Sequence, residues 1–599
     1  MKRYITSLIA LAAVLSAGAQ NLNPTVEVTN QYEGKVMEVA KPVVEMEVPD
    51  SLLRFDLEFD YSVFDTPYKG SYDFSPYLMD IRPESDAWRG QQLYVKAGAG
   101  YPLLPTFDAV FSPRMNSPFS VNIYANHYSH IGQYNVKLED YKHKFDGYQM
   151  KTRAGFDGRY EFDGGDVTFG AGYYGIHTRE SDTPVDGSEE KMGFNALEAN
   201  VQLRSLRGDE SYFFYDARAD FKTGAQKFSS MDKLKINEFE FNGLLGPVLD
   251  EHSAILFGLH AGITSYKGAF LSQTGSMYIA PKYVWHDDRV RLSAGLRLGQ
   301  TFHAKNEWMG YVLGPSKSRK IYPDVQVGYE AITDRLNIYA NLTGGDHLWH
   351  YTELKEDNLF YSPVFGREKA PMVDNSVDRI RVKLGFQGNI RSVFRFDVGG
   401  GFAKIENGLL DAVRNVWTPL NLTKNPSGLA YLPAVTFADY DLWFVEGNLV
   451  YDGRPVSAEA TVHFLGADFK EDTFGFAPAS TGLLKVQYNW RDRIKVGAYA
   501  EGGLKRKGLV NRISLDGPFY TTDDLTEPVT PGYVVVNGEQ AVPLALPGWV
   551  DLGLQAELSV TRQLGIWARV GNLLNQNIQR HPVYPSPGVN MTAGIVLNL

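Results

Sequence analysis

The chain has 599 residues, 44% hydrophobic and 13% aromatic, with a formal net charge of -11 and no cysteine. An acidic balance argues against a nucleic-acid partner. The lack of cysteine excludes a disulfide framework, a thiolate metal site and a lipoprotein acylation site, and no run reaches the roughly 18–20 apolar residues of a spanning helix.

The first element is a short apolar run. Lys2 and Arg3 precede Leu8 to Leu15, and Ala17-Gly18-Ala19 followed by Gln20 reads as a small-residue cleavage site. Residues 1–19 are therefore expected to be a secretory signal peptide, the run being too short for an anchor helix. Residues 20–90 form a second segment. Within 21–90 there are 14 acidic and 6 basic residues, about -8 of the net charge of -11. Here LRFDLEFDYSV alternates, with Leu53, Phe55, Leu57, Phe59 and Tyr61 opposing Arg54, Asp56, Glu58, Asp60 and Ser62. The aromatic, proline-punctuated stretch Thr66 to Pro83 follows, and such aromatics favour burial over a flexible linker.

From Leu93 to Leu599 the pattern is period-2 alternation. In LEANVQLR, Leu197, Ala199, Val201 and Leu203 oppose Glu198, Asn200, Gln202 and Arg204. In RIRVKLGFQ, Ile380, Val382, Leu384 and Phe386 share one face, and Arg379, Arg381, Lys383 and Gln387 the other. VDLGLQAELSV (Val550 to Val560) repeats the alternation. Successive side chains of a strand point to opposite faces, so these are strands. No segment shows a comparable 3.6-residue apolar period.

Two kinds of connection alternate along the chain. Tight polar turns stand at Asp163-Gly164-Gly165-Asp166, Arg207-Gly208-Asp209-Glu210, His286-Asp287-Asp288-Arg289, Thr333-Asp334-Arg335, Asp452-Gly453-Arg454-Pro455, Arg491-Asp492-Arg493 and Thr561-Arg562-Gln563. Long connections are expected near 130–146, 181–192, 304–319, 346–376, 408–435, 468–481, 510–546 and 575–590. This asymmetry predicts an all-β fold, an antiparallel transmembrane β-barrel of about 22 strands over 91–599 with short periplasmic turns and long extracellular loops. A soluble sandwich is the competing fold, but it rarely gathers charges such as Arg379, Arg381 and Lys383 on one face.

The barrel assigns the faces. Charge at the lipid-facing midplane costs roughly 2–4 kcal/mol, so the apolar sets face lipid. The inward face then includes Lys96, Lys151, Arg153, Arg379, Arg381, Lys383, Arg395 and Arg569, with Asp397, Asp551 and Glu557. Gly399, Gly400 and Gly401 lie in a strand and read as close packing. The pairs His127/His130 and His347/His350 have i,i+3 spacing, with Asp346 and Glu353 flanking the second. Metal binding is not expected at either. No nucleophile-elbow, P-loop or helical zinc motif occurs in a suitable context. No enzyme activity, catalytic residue or cofactor is expected, and the binding residues stay unassigned.

The C-terminal stretch WARVGNLLNQNIQRHPVYPSPGVNMTAGIVLNL resembles the ending of TonB-dependent receptors. Val570, Asn572 and Leu573 match that family's penultimate strand and Asn-Leu motif; Tyr584, Pro585, Pro587 and Gly588 match its last-loop element. Val589 and Asn590 stand where the family prefers Arg and an aromatic, and Leu599 replaces the usual terminal aromatic. The resemblance covers 91–599. It implies an outer-membrane location in a diderm (Gram-negative type) bacterium, contact with outer-membrane lipid, and uptake or passage of a bulky solute. It also implies a TonB-type energy-coupling partner, for which Val26 to Thr29 (VEVT) is the candidate contact. The family's plug, well over a hundred residues, does not fit into 20–90. That acidic segment is expected to be a reduced plug paired with lumenal cations, or a periplasmic extension that binds another outer-membrane or periplasmic protein by strand addition through 52–63. A passive pore and a non-transporting docking component are the alternative functions.

Overall fold

The computed structural model describes residues 92–599, except 114, 116–117, 139–140, 182–188, 206–211, 230–231, 269–270, 309–310, 313–317, 334, 362–373, 392, 418–428, 470–472 and 514–538. The signal peptide, the 20–90 segment and its VEVT stretch lie outside the described residues.

The alternating segments form one antiparallel sheet closed on itself. Its first strand, Leu93–Tyr101, pairs with Thr106–Phe111 on one side and with the last strand, Asn590–Asn598, on the other. Ala97 thus faces Phe107 and Ile595 at once. Closure leaves no edge, as lipid requires, because no water is there to satisfy free N–H and C=O groups. The sheet has 24 stretches, and two of them, Tyr311–Val312 and Ser586–Pro587, are two-residue additions. The remaining strands number 22, as the alternation predicts, and the structure is an outer-membrane β-barrel.

The faces follow the sequence pattern. In the twentieth barrel strand, Trp549–Ser559, Val550, Leu554 and Leu558 are 40–49% exposed, whereas Asp551 and Gln555 are buried. Leu197, Val201 and Leu203 are also exposed, as lipid-facing positions must be. Lys96 lies over the inward-facing Trp567 ring and Arg153 over Tyr174.

Alternation fails at Arg379. A register shift between Asp378 and Ile380 inserts one extra residue there. The expected grouping of Arg379 with Arg381 and Lys383 is therefore broken: a bulge resets the face, and Arg379 is 56% exposed against 31% for Arg381 and 25% for Lys383. Gly401 does sit at a close approach, where a Cβ would meet the Val382 carbonyl at 1.8 Å.

Several expected loops are strands. Phe119–Leu138 and Tyr141–Phe162 pair continuously up to Leu138↔Tyr141, and Phe394–Trp417 and Leu429–Asp452 up to Trp417↔Leu429. The stretches 130–146 and 408–435 are thus mostly ladder that continues past the alternating region. Alternation fades there because the outer face no longer meets lipid. The 510–546 connection contains a separate two-stranded hairpin, Arg506–Ile513 with Glu539–Leu546. The connection after Leu336–Leu348 contains a helix, Tyr351–Asp357, too short at 7 residues to show a helical period.

Candidate functional site: an inward-folded connection in the lumen

The helix Tyr351–Asp357 folds inward from the end of Leu336–Leu348 and meets a distant part of the wall. Tyr351 and Leu354 pack with Tyr174, Ile176, Phe194, Leu234, Ile236 and Tyr266, all inward-facing and buried. The Tyr351 ring lies 6.3 Å from Phe194 and 6.2 Å from Tyr266. Just beyond the helix, Phe360 packs edge-on against Tyr134, Phe145 and Tyr584.

Wall residues satisfy the backbone donors of the first turn. The Tyr351 N–H donates to the Tyr266 hydroxyl at 3.0 Å, and the Thr352 N–H to Glu238 at 3.2 Å. The Thr352 hydroxyl donates to the other Glu238 oxygen at 2.5 Å, and the Tyr266 hydroxyl to Glu238 at 2.8 Å. A helix start without such partners would bury orphan N–H groups, and the Glu238 carboxylate also complements the helix dipole.

Past this turn the contacts are ionic. Lys355, fully buried, donates to the carbonyls of Leu359 and of Tyr361, the latter at 3.0 Å. Burial pushes its amine down to about 7. Glu356 lies 3.8 Å from Arg153, which also holds Glu198 at 3.1 Å. Burial raises the Glu356 carboxyl, but Lys222, Arg153 and Lys151 more than offset this, and the net is a fall below the usual carboxylate range.

From Asp357 a chain of charges runs along the mouth. Asp357 meets His581 at 3.6 Å, and His581 meets Asp411 at 2.9 Å. Arg506, at the base of the 506–546 hairpin, binds Asp411 at 2.7 Å and donates to the Arg580 carbonyl at 2.5 Å. Arg580 binds Glu501 at 2.6 Å and lies 3.9 Å from Asp551. Burial lowers the His581 imidazole, yet Asp357 and Asp411 together raise it to about 10.

The last connection is held by the residues that carry the C-terminal resemblance. Asn572 has a left-handed φ of 47°, and its side-chain amide donates to the carbonyls of Gln576 at 2.9 Å and Pro587 at 3.0 Å. Its backbone N–H donates to Asp551 at 3.1 Å. Tyr584 packs on Phe360, and Pro587 pairs with Tyr134 of the wall.

The histidine pairs are not brought together as chelates. His127 and His130 share one strand, Phe119–Leu138, where a spacing of three puts them on opposite faces. His127 bonds Thr152 and His130 bonds Tyr134. His347 reaches Glu353 at 3.6 Å, while His350 caps the helix. The inward set holds for Lys96, Lys151, Arg153, Arg381, Lys383 and Arg569, and Asp551 is central to the loop anchor. The residues of the charge chain (Glu356, Asp357, Asp411, Arg506, Arg580 and His581) carried no sequence signal, since their partners lie far away in the chain. Only the length of the connections expected near 346–376, 408–435 and 575–590 marked these regions, and Arg506 fell just outside 510–546.

No family model and no curated protein matches the chain. Solved structures do. The FrpB iron transporter from Neisseria meningitidis (F5-1 variant) matches at TM-score 0.57 and 12% identity, covering 85% of this chain and 82% of its own. The copper transporter OprC matches at 0.55 and 13%, covering 85% and 80%. The Pseudomonas aeruginosa ferripyoverdine receptor bound to ferripyoverdine matches at 0.57 and 11%, covering 85% and 72%. The barrel fold is that of TonB-dependent receptors. At these identities the likeness is one of fold, the closed antiparallel barrel with its tight turns and long connections.

Proposed function

We propose that the protein passes a solute across the outer membrane and that the inward-folded connection 349–361 is its gate. The observation that carries this reading is the docking of the helix Tyr351–Asp357 on the inner wall, with its first-turn donors held by Tyr266 and Glu238. FrpB and OprC are transporters, of iron and of copper, and neither is an enzyme by its name. Their shared barrel supports transport here, and the width of such a barrel admits a bulky solute. A docked segment that must leave the lumen before the solute moves is a gate by geometry. The removal of Tyr351 and Leu354 side chains tests it. Single-channel conductance of the full chain in planar bilayers should rise in Tyr351→Ala/Leu354→Ala; conductance equal to wild type would refute the gate.

The acidic 20–90 segment fits a reduced plug in this scheme, paired with cations of the inward face. Deletion of residues 21–90 should then raise conductance further, and an unchanged value returns the segment to a periplasmic docking role. A TonB-type partner would energise release of the gate. Uptake that survives loss of the inner-membrane motor would exclude that partner and leave a passive pore. A non-transporting assembly component is the reading to adopt if neither variant conducts and stoichiometric partners co-purify.

A further inference from the structure

We propose that the two-stranded ladder of 408–417 with 429–438 is a lever, which turns as one body at Asn407 and carries the inward-folded connection 349–361 on or off the wall with it. The inference concerns how that connection is held, and it stands whether or not a solute passes the lumen.

Up to Asn407 the strands Phe394–Trp417 and Leu429–Asp452 belong to the wall. Their flanking strands stop at that level. Asn375–Ile390 ends its pairing at Val377↔Glu406, and Val456–Phe469 ends its own at Tyr440↔Phe469. The ladder resumes past a register break, from Gly408↔Ala438 to Trp417↔Leu429. It therefore leaves the barrel as an arm with neither of these wall strands beside it. Asn407 stands in the break with a left-handed φ of 51°, a conformation that Asn tolerates by local hydrogen bonding, and Gly408 follows. Hinges are a few element-terminal residues that absorb a change in φ and ψ, and a break in register bends the strand that carries it.

Both flanks of the inward connection grip this one residue. On the entering side, the Trp349 indole N–H donates to the Ser376 hydroxyl at 2.6 Å, and that hydroxyl donates to the Asn407 carbonyl at 2.7 Å. On the leaving side, the Asn407 side-chain amide donates to the Asp374 carboxylate at 3.1 Å and to the Asn375 carbonyl at 2.8 Å. The Asn407 backbone N–H donates to Asp439, at the foot of the returning strand, at 2.8 Å. Beyond the hinge the arm lies on the connection itself. Leu409 and Val435 pack against the cluster that holds Tyr351, Leu354 and Tyr361, and Val413 against the one that holds Phe360. Asp411 reaches Asp357 through His581. If the helix Tyr351–Asp357 left alone, these apolar arm residues would lose their cover, at about 0.8 kcal/mol per exposed CH2. If the arm lifts with it, the contacts between the two persist. The arm is thus the two-state element that both sides bias, and a load on its outside is felt in the lumen.

The test pins the arm and reads the connection, in the full chain. The sequence has no cysteine, so an introduced pair meets no competing thiol. A Cβ on Gly475 would stand 2.8 Å from the Thr436 Cγ2, close to the separation of about 3 Å between a Cβ and the far sulfur of a disulfide. Gly475 belongs to a connection fixed to the wall, where the Ser480 hydroxyl accepts from the Leu465 N–H at 2.9 Å and donates to the Leu465 carbonyl at 3.2 Å. Thr436→Cys/Gly475→Cys therefore ties the arm to the wall when oxidised and leaves 349–361 untouched. Hydrogen exchange of residues 351–361 should slow roughly tenfold on oxidation and recover with reductant. Asn407→Gly keeps the backbone freedom and removes the side-chain bonds to Asp374 and Asn375, so it should speed exchange in 351–361 and 408–413 together. A heat-modifiable gel shift verifies that each barrel is folded, and thiol titration that the bridge has formed. Exchange in 351–361 that is the same with the bridge oxidised and reduced overturns the proposal. So does a wild-type rate in 351–361 while 408–413 loosens in Asn407→Gly. Hydrogen exchange reads docking and not passage, so neither result is confounded with the conductance test of the gate.

Discussion

His581 and Asp411 stand 170 residues apart in the chain, yet the imidazole Nδ1 lies 2.9 Å from the carboxylate Oδ1. The contact ties the last connection to the tall strand Phe394–Trp417, and through the other imidazole nitrogen it reaches Asp357 at the end of the inward helix. One imidazole thus joins three separate parts of the mouth.

That junction should make docking of the helix Tyr351–Asp357 depend on pH. His581 is raised to about 10 in the docked state, against an ordinary value of about 6.5. Its contribution is full below about 6.5 and is lost as pH rises through about 10. Lys355 acts in the opposite sense. Its amine is lowered to about 7 by burial, against about 10.4 in a free chain, so its penalty is relieved as pH rises through that window. The two trends offset in the wild type. His581→Gln should leave closure that strengthens between about pH 7 and 10, and Lys355→Met closure that weakens, both read by hydrogen exchange of residues 351–361. The same slope in both variants would contradict this account.

Glu238 is the acceptor for Thr352 twice and for Tyr266 once. Glu238→Ala should strand these buried donors, at a cost of about 1–3 kcal/mol for each unsatisfied group. Faster limited proteolysis within 350–373, with an intact barrel on a heat-modifiable gel, is the expected result. Glu238→Gln, which keeps an acceptor, should fall between.

Asn572 combines a left-handed backbone with two side-chain hydrogen bonds to carbonyls. Asn572→Gly keeps the backbone freedom and loses the bonds, whereas Asn572→Ala loses both. Alanine should loosen the 572–589 connection more than glycine, by roughly 1–2 kcal/mol for the strained φ. Proteolytic susceptibility of that connection orders the two variants, and glycine as the worse of the pair would refute the argument.

Leu554 is 49% exposed on the outer face, and Gln555 is buried on the inner face opposite Arg569. Leu554→Arg should cost about 2–4 kcal/mol near the midplane of the bilayer and reduce the yield of folded barrel. Gln555→Glu gains a cross-strand cation and should fold normally. Equal yields from the two variants would reverse the assignment of faces.

The strands were legible because membrane and lumen impose opposite chemistry on alternate residues, and a local period survives in a single sequence. Val550, Leu554 and Leu558 against Asp551 and Gln555 needed no other part of the chain to be read. The pattern weakens where that constraint ends. The ladders above the membrane read as loops, and the bulge at Arg379 moved one residue out of a face that alternation had given it.

The inward-folded connection was not legible, for a different reason. Glu356 and Arg153, Asp357 and His581, and Asp411 and Arg506 are single charges in a chain that holds 59 basic and 70 acidic residues, and nothing local distinguishes them from solvated ones. Sequence by itself determined the class of barrel, its strand number, its orientation of faces and the long connections able to carry function. Only the tertiary structure decided that one of those connections turns inward and which charges meet there. Closing the sheet brings together residues that are up to 170 positions apart, and no local period records that distance.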